Sequence, residues 1–172
     1  MRNLYLFYLI ICVVSCKAKS ELASGLAKEV TPVICPENGN CSFEILKNKD
    51  LLVQTDHLGS VYTQVVEGVG AVLKFEYKKQ EKEGYEDSGY REEIFIALNL
   101  DELNIETEKL NEEKLFFARW CYCKGQTGYY KISQGKLKIE KLDDKTIQLH
   151  LNFKIQEVPQ IITEINHTFS LE

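Results

Sequence analysis

Residues 146–155, TIQLHLNFKI, alternate apolar and polar side chains without a break. Ile147, Leu149, Leu151, Phe153 and Ile155 share one parity, and Gln148, His150, Asn152 and Lys154 share the other. A strand sends successive side chains to opposite faces, whereas a helix would scatter this apolar set around its axis. The stretch therefore predicts a strand with one face in a core and one in water. The same period recurs at Cys41/Phe43/Ile45, Leu73/Phe75/Tyr77, Ile94/Ile96/Leu98/Leu100, Leu137/Ile139 and Ile165/Phe169/Leu171. Together these runs predict an all-β domain, an antiparallel β-sandwich or a partly closed barrel. Only residues 101–113 have helix-compatible spacing, through Leu103 and Leu110. They read equally as one short helix or as an acidic excursion between strands.

Turn residues fall between these runs. Asn38-Gly39 within residues 36–40 tolerates positive φ, and residues 56–59, 124–128 and 143–144 are further candidates. Gly68 and Gly70 flank Val69 and predict a bend or bulge. Residues 79–89 are polar and predict an exposed loop. Parity fixes the last pairings. A three-residue turn at 143–145 sets Ile139 opposite Leu149 and Leu137 opposite Leu151. A five-residue turn at 156–160 sets Ile155 opposite Ile161 and Leu151 opposite Ile165, with Pro159 in the turn. A slip of one residue would turn every apolar side chain outward, so the pattern selects the register.

The N-terminus has a different character. Arg2 is followed by an unbroken apolar run of eleven residues, Leu4 to Val14. As a helix it would span about 16 Å, roughly half the hydrocarbon of a bilayer, so it is too short for a transmembrane anchor. A cationic start, a short apolar stretch and small residues after it are the pattern of a secretory signal peptide. The run ends in Val13-Val14-Ser15-Cys16. This resembles the lipobox of bacterial lipoproteins, although Val13 stands where many lipoboxes have Leu. The resemblance covers these sixteen residues. It implies cleavage after Ser15, a diacylglycerol thioether on Cys16 and acylation of the new α-amino group. Two or three acyl chains hold a protein durably at a membrane where one does not. With Lys17 rather than Asp after the Cys, the resemblance also favours the outer membrane of a Gram-negative bacterium.

The expected organisation is a signal peptide at 1–15, the lipidated Cys16 and a flexible tether through residue 29, and a single all-β domain from 30 to 172. Residues 17–28, KAKSELASGLAK, are small and polar, as a tether should be, with a short amphipathic helix as the alternative.

Six cysteines occur in the chain. Cys12 would leave with the signal peptide and Cys16 would carry lipid, leaving Cys35, Cys41, Cys121 and Cys123. An even number in an exported, oxidising setting predicts disulfides. Four cysteines allow three pairings. Cys121 and Cys123 point to one face of a strand-like run, with Phe116, Ala118, Trp120 and Tyr122 on the other. Both faces need cover, and this favours crosslinks to the Cys35/Cys41 segment. A local Cys35–Cys41 staple is the alternative, leaving Cys121 and Cys123 as a strained pair or as two thiols. A tetrahedral zinc site fits the C-x5-C and C-x-C spacing poorly, so no metal is expected.

The other candidates have plain structural readings. His57, His150 and His167 are the only histidines, and strand parity sends His150 outward and His167 inward, so they should not share a face. The aromatic run Phe116, Phe117, Trp120, Tyr122, Tyr129 and Tyr130 suits a core as well as a binding platform. The acidic residues 101–113 lack ordered calcium-ligand spacing. No phosphate loop, nucleophile elbow or zinc-protease motif is present. A net charge of −5, from 21 Lys and Arg against 26 Asp and Glu, argues against a nucleic-acid partner. The expectation is a non-enzymatic, lipid-anchored module of the cell envelope, similar in outline to small envelope lipoproteins. It would need no cofactor and would bind the membrane through its anchor, with an envelope protein or glycan as further partner. The alternative is an envelope thiol-redox or other enzyme centred on Cys121 and Cys123.

Overall fold

A computed structural model describes residues 35–81, 84 and 88–171. The expected signal peptide, the lipobox Cys16 and the tether lie outside the described residues, as does part of the loop expected at 79–89. The apolar-polar alternation produces nine strands: β1 Gly39–Thr55, β2 Val61–Lys79, β3 Tyr90–Leu98, β4 Ile105–Thr107, β5 Leu115–Cys121, β6 Gly128–Lys131, β7 Gln134–Lys141, β8 Thr146–Lys154 and β9 Glu164–Ser170. They form two antiparallel sheets, one in the order β1-β2-β3-β5-β6 and the other in the order β4-β7-β8-β9. The sheets pack as a sandwich and do not close into a barrel. No helix occurs among the described residues. The acidic segment at 101–113 is instead an irregular crossing that contributes β4 and buries Leu110 completely.

The core between the sheets is the apolar set expected from parity. Ile147, Leu149, Leu151 and Phe153 of β8 are buried, together with Phe75 and Tyr77 of β2, Ile94 and Ile96 of β3, and Phe117 of β5. The β7–β8 register pairs Ile139 with Leu149 and Leu137 with Leu151, as the turn length requires. The β8–β9 register pairs Leu151 with Ile165. That ladder stops at Asn152 and Glu164, so Ile155 and Ile161 do not pair as a simple turn would have them. The connection is longer because Ile155, Val158 and Ile162 are all drawn into the core. The Gln160 amide substitutes for the missing ladder. Its Oε1 accepts from Ile155 N at 2.5 Å, and its Nε2 donates to Ile162 O at 2.6 Å and Phe153 O at 3.3 Å.

Strands β1 and β2 are much longer than their neighbours, and a bulge divides each of them. Lys47 pairs with Ala71 but Lys49 pairs with Glu67, so Asn48 alone opposes Gly68, Val69 and Gly70. Asn48 takes a left-handed φ of 55°, a conformation Asn tolerates. The two glycines are needed for space: a Cβ on Gly68 would crowd Asp50, and one on Gly70 would overlap the carbonyl oxygen of Leu98. The bulge reverses the parity of the strand, because Leu46 before it and Leu51 after it join the same apolar cluster.

That cluster lies on the outer face of the five-stranded sheet and contains Leu51, Val72, Phe95, Phe116 and Ala118, with Val61, Trp120 and Tyr129 at its margin. It is covered by the hairpin's own far arm, residues 49–67. Strand β2 touches β6 although β3 and β5 lie between them in the sheet, which requires the arm to cross the sheet's outer face. An ion pair from Lys114 Nζ to Asp50 Oδ2 at 2.8 Å holds the base of the arm. Leu51 is 2% exposed and Leu52 is 41% exposed, so neighbouring leucines test this arrangement. Leu51→Ala should cost about 2–4 kcal/mol in urea unfolding, and Leu52→Ala less than about 1 kcal/mol. Equal costs would show that the arm does not pack on the sheet.

Candidate functional site

Cross-strand register builds a polar row at one end of the sandwich. Cys41 pairs with Tyr77, Tyr77 with Glu92, Glu92 with Arg119, and Arg119 with Gly128. Directly opposed residues share a face, and this row faces the interior. Glu92 has no exposed surface. A buried carboxylate is costly unless it is hydrogen-bonded on most sides. Glu92 meets that demand by accepting from Ile161 N at 2.6 Å, Ile162 N at 2.8 Å and the Tyr90 hydroxyl. Arg119, 7% exposed, lies over the Tyr90 ring at 5.2 Å and donates from Nε to Tyr90 Oη at 3.2 Å. It also donates to the Gln126 carbonyl oxygen at 3.2 Å and to Gln126 Oε1 at 2.9 Å. Burial, and then the bond to Glu92, push the Tyr90 phenol up to about 12. A phenol held neutral between a carboxylate and a guanidinium acts as a connector. The row clamps the loops at 122–127 and 155–163 to the sheet.

The disulfides border the same end. Cys35 is bonded to Cys41 and Cys121 to Cys123, with Cα separations of 5.6 and 5.3 Å. The crosslinks expected between the two segments are therefore not made. Strands β2 and β3 stand between β1 and β5, which places Cys41 and Cys121 about 14 Å apart, well beyond disulfide reach. Strand β5 ends at Cys121, and the bend at Tyr122 brings Cys123 back to it, leaving the Tyr122 side chain 82% exposed. Thr127 Oγ1 donates to the Cys121 carbonyl at 3.0 Å and closes this loop. The turn before β1 packs as tightly: Asn38 has a φ of 64°, and the Tyr77 ring occupies the space a Cβ on Gly39 would need.

The aromatic run is mostly core. Phe116 and Phe117 are buried on opposite faces of β5, and Trp120, Tyr129 and Tyr130 are half-buried. Trp120 meets Tyr129 edge-on at 5.4 Å. The histidines separate as parity requires. His150 is exposed and lies 2.8 Å from Glu164, His167 is buried against Phe43 at 4.2 Å, and His57 is exposed in the β1–β2 turn. Among the described residues no group of three His, Cys, Asp or Glu side chains could hold a metal ion.

Sequence reasoning missed two features. One is the clamp, because Glu92-Glu93 in a strand reads as a charged pair rather than as carboxylates buried on two faces. The other is the apolar end of the β1–β2 arm. Leu58 in its turn is 79% exposed, and Tyr62, Val53 and Leu52, in successive pairs further back along the arm, are 36%, 40% and 41% exposed. Their unusual exposure depends on the bulge, and the alternation alone does not reveal it.

Compared with known proteins, the chain matches no family model, no curated protein and no solved structure.

Glu93, on the opposite face of β3, lies 2.8 Å from Lys74 Nζ, accepts from Trp120 Nε1 at 2.5 Å and is 3.6 Å from Arg91. Burial pushes its carboxyl up, but Lys74, Trp120 and Arg91 outweigh burial and hold it below its ordinary value near 4.5. A lowered folded value stabilises the fold above the ordinary value, and that stabilisation is lost as pH falls through the folded value. Glu93→Gln should therefore be less stable at neutral pH and show a shallower acid limb below pH 4.5 than the parent in pH-dependent unfolding. Glu92→Ala should cost about 3–5 kcal/mol, because it strands the Tyr90 hydroxyl proton and two buried backbone N–H groups, whereas Glu92→Gln should cost less. Hydrogen exchange at Ile161 and Ile162 reads that loss directly. Unchanged protection in Glu92→Ala would dismiss the clamp.

Proposed function

We propose that this protein is a lipid-anchored module of the bacterial cell envelope, with a binding or structural rather than a catalytic role. The observation that carries the proposal is Val13-Val14-Ser15-Cys16 at the end of an eleven-residue apolar run. On this reading Cys16 holds the chain to the membrane, and the residues before the sandwich space the folded body from it. Two local disulfides support an exported setting, since such bonds persist in oxidising compartments and are rare in the cytosol. The chemistry of the buried polar groups supports a non-catalytic role. Glu92, Tyr90 and Arg119 bind one another and the loops at 122–127 and 155–163. Their hydrogen-bonding capacity is spent on holding the fold. An envelope protein or glycan remains the proposed partner, and the outer membrane the proposed address.

The test is acylation. In a bacterial host the chain should incorporate labelled fatty acid and partition into the detergent phase, and its intact mass should show a processed N-terminus at Cys16. Cys16→Ser should abolish the label and release the chain from the membrane fraction. An unmodified Cys16 in membrane-extracted protein would refute the proposal.

A further inference from the structure

We infer that the Cys121–Cys123 disulfide is a reversible exchange site for a low-molecular-weight thiol, whereas Cys35–Cys41 is a fixed staple. This goes beyond the role proposed above and does not depend on Cys16. The two bonds differ in what surrounds them. Cys35 and Cys41 pack against the core between the sheets. Cys121 and Cys123 belong to neither apolar cluster, and Tyr122, Lys124, Gly125, Gln126 and Thr127 around them are all exposed. The two cysteines are themselves half-buried within this collar of exposed residues, so a small thiol reaches them with the least rearrangement.

The second difference is the length of chain each bond closes. The partners stand two positions apart in Cys121–Cys123 and six in Cys35–Cys41. The shorter loop removes less entropy from the unfolded chain. Linkage makes this reciprocal: a bond that adds little to the stability of the fold is protected little by the fold. The loop also does not rely on the bond. Thr127 Oγ1 donates to the Cys121 carbonyl at 3.0 Å, Gln126 N to the Cys123 carbonyl at 3.1 Å, and Arg119 to Gln126 Oε1 at 2.9 Å. After opening, these hydrogen bonds keep residues 121–127 in place, and the two sulfurs stay within reach of each other. The crosslink therefore opens and recloses without unfolding.

Local charge favours the exchange. Lys124 follows Cys123, and Arg119 shares a face of β5 with Cys121. Cations stabilise the thiolates that attack and leave. In the first step an incoming thiolate bonds to Cys123 Sγ, the Sγ–Sγ bond breaks, and its electron pair leaves on Cys121 Sγ. The Thr127 hydroxyl is 3.8 Å from that sulfur and can turn to it. A second thiolate then attacks the first incoming sulfur and releases Cys123. Two small thiols become one disulfide, and the protein gains two electrons and two protons as Cys121 and Cys123 become thiols. The change is one of state and not of turnover, so it suits a binding or structural module: it frees the bend that holds Tyr122 outward.

The test uses the full chain, purified with its disulfides formed and equilibrated in glutathione buffers of rising reduced-to-oxidised ratio. Acid quenching, alkylation and trypsin put each pair in its own peptide, residues 120–124 for one and 29–47 for the other. Cys121–Cys123 should be half reduced at a ratio at least about tenfold below that needed for Cys35–Cys41, with far-ultraviolet circular dichroism still native. A glutathione adduct on peptide 120–124 at intermediate ratios should mark the mixed disulfide, and oxidised glutathione should restore the bond. Two pairs that open at the same ratio, or a Cys121–Cys123 bond that opens only as the circular dichroism is lost, would overturn the inference. Either of those results leaves the acylation of Cys16 standing as a separate question.

Discussion

The bulge where Asn48 opposes Gly68, Val69 and Gly70 governs the shape of the molecule. Without it, β1 and β2 would run as one long twisted ribbon past the end of the sandwich, and Val72, Phe95 and Phe116 would face water. The bulge reverses parity in mid-strand and turns the ribbon back, so that Leu51 and Val61 meet those side chains. One local irregularity thus provides a third layer over part of the five-stranded sheet. Each buried aliphatic or aromatic side chain in that layer contributes about 1.5–3 kcal/mol, which is large against the net stability of a domain. The cost falls on backbone freedom: Gly68 and Gly70 sit where no side chain fits, and Asn48 holds a left-handed φ.

Strand β3 shows how the fold handles charge once both sheet faces are covered. Glu92 and Glu93 are adjacent, so their carboxylates project into different layers. Glu92 enters the core between the sheets and is compensated by backbone N–H groups and the Tyr90 hydroxyl. Glu93 lies in the layer over the outer face and is compensated by Lys74, Arg91 and the Trp120 indole. The first arrangement fixes a loop from the opposite side of the sandwich, and the second joins three strands of one sheet. Neither leaves a carboxylate open to a substrate.

The residues that were legible in the sequence are those whose position follows from a period of two. The β7–β8 register, the inward Leu151 and Ile165, and the opposed directions of His150 and His167 all follow from parity and turn length. Parity fails where a non-local fact decides. It could not exclude bonds from Cys35 and Cys41 to Cys121 and Cys123, because that depends on β2 and β3 lying between β1 and β5. It could not anticipate the longer connection at 155–163, because there the burial of Val158 and Ile162 outweighs a tight turn. The glycines did announce the bulge, but its consequence, an arm folded over one face with an apolar end, requires the third dimension.

An apolar tip is a hazard for a freely diffusing domain. Exposed Leu58 with Leu52, Val53 and Tyr62 on an unpaired ribbon invites association between copies. The arm limits that hazard by laying one face on the sheet, where Leu51 and Thr63 are buried and Val61 packs on the outer-face cluster. The clamp at Glu92 and the two disulfides lie toward the Cys35 end of β1, where the chain leaves the sandwich for Cys16.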